Sequence, residues 1–246
     1  MALKASPEDQ AHLLELQAID TRLQQLDHRA KSLPELAILA GLASDAEALR
    51  IEYSQATGAL EDARIELGRV EADVAVVDAR IARDSERLRS ATSVKDVAGL
   101  ESELAGLARR KDDLEEIELG VMEKVEGLEE AVASLLSRRT GLESERAAVG
   151  AERDSALKAI TDERSDAAAR RSAIAGGLPA ELLALYERQR DRYGFGASLL
   201  QGGVSQASGV KLNEGDLATI RAAAPDDVLL CPDSSAILVR TGESGL

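Results

Sequence analysis

The chain has 246 residues, of which 44% are apolar and 30% charged, but it contains only one Phe, three Tyr and no Trp. Because large aromatic side chains supply much of the volume of a globular core, this composition argues against such a core and favours long helices or a coiled coil. The net charge of -15 opposes nonspecific binding to nucleic acid or to an anionic membrane, since both require a basic surface.

No stretch approaches the roughly 18 apolar residues of a membrane span, and residues 1–10 lack the apolar core of a signal peptide. We therefore expect a cytoplasmic protein that does not bind membranes. The single Cys231 cannot form an internal disulfide, which agrees with a reducing compartment.

The first predicted helix begins after Ser6, which has the features of an N-cap, with Pro7 at the first helical position and acidic residues in the first turn. Apolar residues then recur at spacings of three and four from Leu13 to Leu26. Pro34 interrupts the pattern, because proline removes a helical hydrogen bond, and it predicts a kink near residues 32–34.

Two heptad ladders follow, and they predict a coiled coil. The first has apolar residues seven apart from Leu60 to Leu88, with a second series from Ala63 to Val77. The other ladder runs every seven residues from Leu100 to Val149. Its companion positions include charged residues, so we expect a partly polar seam: Lys111, Glu118, Arg139 and Arg146.

Residues 89–96 separate the ladders and predict a hairpin tip. The second helix should end at Gly176–Gly177, with Pro179 just beyond. Arms of nearly equal length predict an antiparallel hairpin over residues 1–178. The alternative is two helices that each pair with another copy, and we expect a monomer or a weak homodimer.

Residues 179–246 predict a short helix followed by a small α+β module. Residues 179–192 form the helix, 213–221 a second one, and 228–230 and 237–239 a pair of strands. Its core candidates are Val204, Val210, Leu212, Leu217, Ile220, Val228, Leu230, Ile237 and Val239, with Leu185 and Tyr186 as cover.

A coiled coil followed by residues 179–188 and this small module resembles the bacterial C4-type zinc-ribbon coiled-coil family, once described as a domain of unknown function. The resemblance covers essentially the whole chain. It is most specific in the C-terminal module, at residues 216–218, 220–223, 227–228 and 237–240. It implies a mainly α fold, with a long antiparallel coiled-coil hairpin and a small zinc-ribbon-like module.

Members of the family carry two Cys-x-x-Cys pairs in this module, and the matching positions here are Ser205, Ser208, Cys231 and Ser234. Zinc favours thiolate or imidazole ligands, whereas a serine hydroxyl stays protonated near neutral pH. We therefore predict a degenerate site without zinc or another cofactor. His12 and His28 lie in the first helix and are expected to be solvated or to flank the seam. Cys231 is either a small buried side chain or a reactive thiol, and we favour the first.

Positive charge concentrates near the predicted tip, at Arg80, Arg83, Arg87, Arg89 and Lys95. These residues are candidates for binding an acidic partner or RNA. The alternative is ordinary ion pairing between the helices.

We find no nucleophile with a base, no carboxylate pair and no phosphate-binding loop, so we predict no enzymatic activity. The resemblance implies regulatory or chaperone-like binding, since relatives are associated with transcription, RNA, or secretion and motility machinery. We predict a non-catalytic adaptor or scaffold that binds partner proteins through the tip and the C-terminal module. Binding of RNA or DNA by the module is the alternative, but residues 197–246 hold three basic and six acidic residues and no aromatic. A metal-dependent enzyme would lack its ligands.

Overall fold

The computed structural model describes residues 3–245, which contain five helices and four strands. The helices are α1 (Pro7–Lys31), α2 (Pro34–Ser90), α3 (Val94–Gly177), α4 (Ala180–Tyr193) and α5 (Glu214–Ala222). The strands are β1 (Ala197–Gln201), β2 (Val204–Ser205), β3 (Leu229–Leu230) and β4 (Ile237–Val239). None of the helices in residues 3–245 combines the length and apolarity needed to cross a membrane.

The start of α1 and the break after it follow from local chemistry. The Ser6 hydroxyl accepts a hydrogen bond from the backbone N–H of Asp9 at 3.0 Å, which satisfies one of the free donors of the first turn. The helix ends at Lys31, and Pro34 is the first residue of α2. Proline fits this position because a first-turn residue needs no N–H donor.

Packing groups the chain into two compact units. One, here called the terminal unit, comprises the chain up to Pro34 together with the chain from Glu152 onward. The other, here called the hairpin unit, is Glu35–Ala151. The two units therefore meet in sequence after residues 34 and 151, whereas the sequence-based boundary lies between residues 178 and 179.

The hairpin unit consists of α2 folded back on the first part of α3 through residues 91–93. Ion pairs join early residues of α2 to late residues of α3 and the reverse, so the helices run antiparallel within one chain. Four of these pairs are Glu52–Arg138 (3.3 Å), Arg64–Glu129 (2.6 Å), Glu66–Lys124 (2.8 Å) and Asp78–Lys111 (2.7 Å). The predicted antiparallel hairpin is confirmed. The two helices pair with each other within one chain, and not with another copy as in the alternative.

The seam of the hairpin unit is narrow. Among the apolar ladder positions, only Leu60, Ala63, Leu114 and Val121 are buried in residues 3–245, and the others are half-buried. Exposed ion pairs contribute at most about 1 kcal/mol each. The apolar seam therefore supplies most of the stability of this unit.

The terminal unit is built around a cluster that joins helix and sheet. Leu13 and Leu16 of α1 pack with Leu182 and Tyr186 of α4 and with Ile237 of β4. All five side chains are fully buried. A smaller cluster of Leu26, Leu33 and Ile160 packs α1 and the residue that precedes α2 against α3.

A four-stranded sheet lies in the C-terminal module, in the order β2-β1-β4-β3. The central pair, β1 and β4, is parallel, and Ser198 is paired with Leu238. The predicted pairing of residues 228–230 with 237–239 is confirmed as the antiparallel β3–β4 pair. The predicted second helix of the module is confirmed as α5, with Asn213 accepting from the N–H of Asp216.

Two features of the module differ from the predictions. Strands β1 and β2 were not predicted, because the glycines and serines of this segment are typical of a loop. Val210 and Leu230 were predicted to lie in the core but are 52% and 45% exposed. Leu200 on β1, which was not among the predicted core residues, is fully buried in the core of the module.

The beginning of the described chain attaches to the C-terminal module. The N–H of Ala5 donates to the carbonyl of Asp226 at 2.9 Å, and the N–H of Val228 donates to the carbonyl of Leu3 at 3.1 Å. Lys4 forms an ion pair with Asp226 at 2.9 Å. Both ends of the described chain are therefore part of one folded unit.

Candidate functional site

The hairpin tip holds the five predicted partner-binding cations, and three of them are in ion pairs. Arg80 pairs with Glu103 on the facing helix. Arg87 lies 3.4 Å from the carboxylate of Asp84, and Arg89 lies 2.8 Å from that of Glu86. Arg80 is thus in an ion pair between the helices, whereas Arg87 and Arg89 pair with acids of their own helix.

Arg83 and Lys95 differ from the other three. Within residues 3–245 neither has a carboxylate partner, and Arg83 donates only to the carbonyl of Ala79 at 3.2 Å. Both are exposed, and Val94, which precedes Lys95 in the sequence, is 87% exposed. The tip thus presents two unpaired cations and an apolar side chain to solvent.

Asp84 is an unexpected buried carboxylate at this end of the hairpin. It is only 5% exposed, and its Oδ2 atom accepts no hydrogen bond within residues 3–245. The Nε of Arg80 lies 3.8 Å from that oxygen. Asp84 continues the series Ala63, Val70 and Val77 by one more heptad, so the register could have revealed it as a seam residue.

The four residues predicted to be a degenerate metal site lie in two similar turns: Ser205, Ser208, Cys231 and Ser234. The N–H of Gly209 donates to the carbonyl of Ser205 at 2.8 Å, and the N–H of Ser235 donates to the carbonyl of Cys231 at 2.9 Å. Both donor residues have a positive φ, 67° for Gly209 and 58° for Ser235. Each turn therefore has the same backbone form, with Ser208 and Ser234 at equivalent places.

The side chains in these turns bond to one another. Cys231 and Ser205 are buried, and the Ser205 hydroxyl lies 3.0 Å from that of Ser198 on β1. Burial raises the pKa of the Cys231 thiol, but hydrogen bonds from Ser205 and Ser234 and from the backbone outweigh it, so the pKa is lower than that of a free cysteine. Cys231 is thus a buried residue, as its residue type and context predicted.

One thiol and three hydroxyls do not fit a structural zinc ion, which favours four thiolate or imidazole donors. Among residues 3–245, no group of three or more His, Cys, Asp or Glu side chains is placed to hold a metal ion. His12 is half-buried and His28 is exposed on α1.

A buried ionic cluster centred on Asp20 joins three helices of the terminal unit, and it was not predicted from the sequence. Asp20 is 4% exposed and accepts hydrogen bonds from Tyr186 (2.7 Å), Arg171 (2.5 Å) and Arg190 (3.0 Å). Glu187 pairs with both arginines, at 2.6 Å and 2.9 Å. Asp20 lies four residues after Leu16 and three before Leu23, so its place in the apolar stripe of α1 was a usable indication.

The pKa directions in this cluster follow from burial and charge. Burial raises the pKa of Asp20, but the hydrogen bonds from Arg171, Tyr186 and Arg190 outweigh it and hold the pKa below its usual value. Burial and the bond to Asp20 raise the pKa of Tyr186. Asp20 is therefore ionised and Tyr186 neutral near pH 7, which is a structural arrangement rather than an acid-base pair.

Gln17 connects the helices around the Asp20 cluster to the sheet. Its side-chain oxygen accepts from the N–H of Gly196 at 2.7 Å and from that of Ala197 at 3.3 Å. A Cβ atom on Gly196 would lie 2.4 Å from the ring of Tyr186, so only glycine fits here. These contacts fix β1 against α1 and α4.

The fold described so far is that of a helical-hairpin protein with a small mixed sheet near its C-terminus. Residues 16–194 match the family described as the CT398-like coiled coil hairpin domain, and the chain belongs to this family. The C-terminal module follows the matched range.

The chain is also similar to individual proteins of two mycobacteria and of Chlamydia trachomatis. The uncharacterised protein Rv2229c of Mycobacterium tuberculosis is 35% identical over 239 residues, covering 97% of this chain and 98% of that protein. A solved structure from Mycobacterium smegmatis has 35% identity and a TM-score of 0.86, over 97% of this chain and all of that one. CT398 from Chlamydia trachomatis has 17% identity and a TM-score of 0.66, over 95% of this chain and 98% of that one, a likeness of fold alone.

Proposed function

We propose that the chain is a non-catalytic adaptor that binds partner proteins through the hairpin tip and the C-terminal module. Membership of a coiled-coil hairpin family supports this proposal, because a two-helix seam offers long surfaces and little enclosed space for chemistry. The observation that carries it is the unpaired Arg83 and Lys95 at the tip of a chain whose net charge is -15. The expectation of a cytoplasmic location stays a prediction.

The tip favours an acidic protein surface. Cations already paired within the chain would have to give up a carboxylate to bind a partner, whereas Arg83 and Lys95 would not. The exposed side chain of Val94, which precedes Lys95 in the sequence, adds an apolar contact. A mixed cationic and apolar contact of this kind is typical of protein partners.

Two of the three cations of the C-terminal module, Arg221 and Arg240, interact with other groups of the chain, which disfavours nucleic acid there. The guanidinium of Arg240 donates to five backbone carbonyls between Ile220 and Asp227, at 2.7 to 3.3 Å. Arg221 lies 3.9 Å from Glu214. Just before the module, Tyr193 and Phe195 are 45% and 40% exposed and offer apolar contact area.

We further propose that the module folds without zinc and is a degenerate form of a zinc ribbon. The two matching turns at Ser205–Gly209 and Cys231–Ser235 support this proposal, because they keep a shared backbone form while holding one thiol. The packing of Leu200, Leu217 and Leu238 supplies apolar burial in place of metal coordination.

The adaptor proposal is tested by affinity capture from lysate of the native host, with and without nuclease. The variant Arg83→Glu/Lys95→Glu reverses the two unpaired tip charges. Its matched control is Arg69→Glu/Arg110→Glu, which makes the same change in net charge at exposed hairpin positions. We expect specific proteins that survive nuclease, are lost with the tip variant and are retained by the control.

Two outcomes would contradict the proposal. Recovery of nucleic acid alone, removed by nuclease, would favour the nucleic-acid alternative. Equal loss of the captured proteins in the tip variant and in its control would mean that net charge, rather than the tip, determines binding.

A further inference from the structure

A shallow groove on the hairpin unit combines exposed apolar and acidic side chains. Its volume is about 510 Å³. It is lined by Leu67 of α2 and by Leu119, Met122, Glu123, Val125, Glu126 and Glu129 of α3. We call it the acidic groove.

Two large apolar side chains in the acidic groove are exposed. Leu119 is 62% exposed and Met122 is 48% exposed. A spacing of three residues places them on one face of α3, where they form a joint apolar surface. Methionine adapts its shape to different partners, which suits a contact surface.

The acids beside them are available for ion pairing. Glu123 and Glu126 lie on the same helical face, and within residues 3–245 neither is in an ion pair, whereas Glu129 pairs with Arg64 at 2.6 Å. The surrounding segment, residues 112–130, contains nine acidic residues and one lysine. Its net charge of -8 is more than half of that of the whole chain.

We propose that the acidic groove binds a basic amphipathic helix of a partner protein. The apolar face of that helix would cover Leu119 and Met122, and its lysines or arginines would pair with Glu123 and Glu126. Helix-in-groove binding uses apolar anchors at this spacing. Nucleic acid is repelled by the segment, and a second copy of this chain brings a net charge of -15 of its own.

This surface is separate from the tip, so the inference does not depend on the proposed function. The test uses the full chain and a labelled model peptide of roughly five helical turns, with leucines on one face and lysines on the other. Fluorescence anisotropy measures the Kd at low and at physiological salt. We expect Leu119→Ser/Met122→Ser to weaken binding roughly tenfold, which corresponds to about 1.4 kcal/mol.

Glu123→Gln/Glu126→Gln should weaken binding at low salt and reduce its salt dependence, because the lost attraction is the screened one. The matched apolar control is Ile51→Ser/Leu136→Ser, whose side chains are 45% and 48% exposed outside the groove. This control should bind like the unchanged chain. Thermal melts of every variant verify that it folds.

Each of the remaining outcomes overturns the proposal. These are no binding by the unchanged chain, equal weakening by the control, equal binding of a peptide with serines in place of the leucines, and equal binding of an acidic peptide with the same apolar face. Light scattering measures whether the chain associates with a second copy. If the unchanged chain is a dimer and Leu119→Ser/Met122→Ser is a monomer, the occupant is a second copy rather than a basic partner.

Discussion

Asp20 is stable as a buried anion because every strong interaction around it is made with a charged or hydroxyl donor. A buried carboxylate without such partners would lose several kcal/mol of hydration. Arg171 comes from α3, whereas Tyr186 and Arg190 come from α4, so the carboxylate joins three helices. The cluster therefore specifies how these helices meet.

We predict that Asp20→Asn lowers the free energy of unfolding by about 2 to 3 kcal/mol. Removing one partner of a buried ion pair costs about 3 to 5 kcal/mol, and the value here is smaller because Arg171 and Arg190 are about a quarter exposed. Urea unfolding followed by circular dichroism measures the change. The control is Asp27→Asn, whose pair with Arg164 is exposed and should contribute less than about 1 kcal/mol.

The same residue predicts a pH dependence. Because the pKa of Asp20 is lowered in the fold, its stabilising effect is present above the carboxyl pKa of the unfolded chain, about 3.9, and is lost as the pH falls through the folded pKa. The stability difference between the unchanged chain and Asp20→Asn should be full at pH 7 and shrink below about pH 4. A difference that does not change with pH would contradict this assignment.

Restoring the missing thiols tests the zinc proposal. We predict that Ser205→Cys/Ser208→Cys/Ser234→Cys binds one zinc ion with Cys231 and raises the Tm by about 10 °C or more, since metal coordination adds a large folding term. Elemental analysis and melts with and without chelator measure both effects. The unchanged chain and the matched triple alanine variant should contain no zinc, and chelator should not change their Tm. Stoichiometric zinc in the unchanged chain would refute the degenerate site.

The helices and strands that follow from a repeating pattern could be predicted from the sequence, whereas those that depend on distant contacts could not. The heptads from Leu60 to Leu88 and from Leu100 to Val149 predict a hairpin because the period alone defines a seam. Strand β1 pairs with the two-residue strand β2 and, over three residues, with β4, about 40 residues later in the chain. No local pattern in its segment specifies that pairing.

The candidate site was predictable to a similar extent. The tip cations and the four turn positions follow from residue type and from the family resemblance. Which cations are unpaired depends on contacts across the hairpin, such as that of Arg80 with Glu103. The burial of Asp20 and Asp84 was not predicted, because charged residues usually lie on the solvated face of a helix.

Asp84 is a weak point of the hairpin seam, and replacing it should strengthen the element. We predict that Asp84→Leu raises the free energy of unfolding by about 1 kcal/mol, because leucine fills a seam position now held by an incompletely bonded carboxylate. Urea unfolding measures this gain, and slower hydrogen exchange at residues 80–103 should accompany it. The exposed control Asp62→Leu should change stability by less than about 0.5 kcal/mol.

A loss of stability in Asp84→Leu would show that the interactions of Asp84 with Arg80 and Arg87 outweigh the cost of burying its Oδ2 atom without a hydrogen bond. In that case the carboxylate is a stabilising part of the tip. The same result would mean that Arg80 and Arg87 are needed by the fold itself, which would leave Arg83 and Lys95 as the tip cations available to a partner.

The terminal unit contains both ends of the described chain, and the hairpin unit is a single insertion between them. Leu13 and Leu16 of α1 complete the cluster around Tyr186 and Ile237, and Lys4 pairs with Asp226. Leu33 packs against Ile160 where the chain leaves and re-enters the terminal unit. The contacts of the terminal unit therefore do not require residues 35–151.

This arrangement predicts that the terminal unit folds alone and that the C-terminal part does not. A chain in which residues 35–151 are replaced by a flexible loop of about eight Gly and Ser residues should show a cooperative thermal transition. Residues 179–246 alone should show none, because they lack the α1 side chains that bury Tyr186. Circular dichroism melts measure both, and a cooperative melt of residues 179–246 would instead support the sequence-based boundary at residue 178. If the loop variant folds, the hairpin unit can be changed without disturbing the C-terminal module, and partner binding by each can be measured separately.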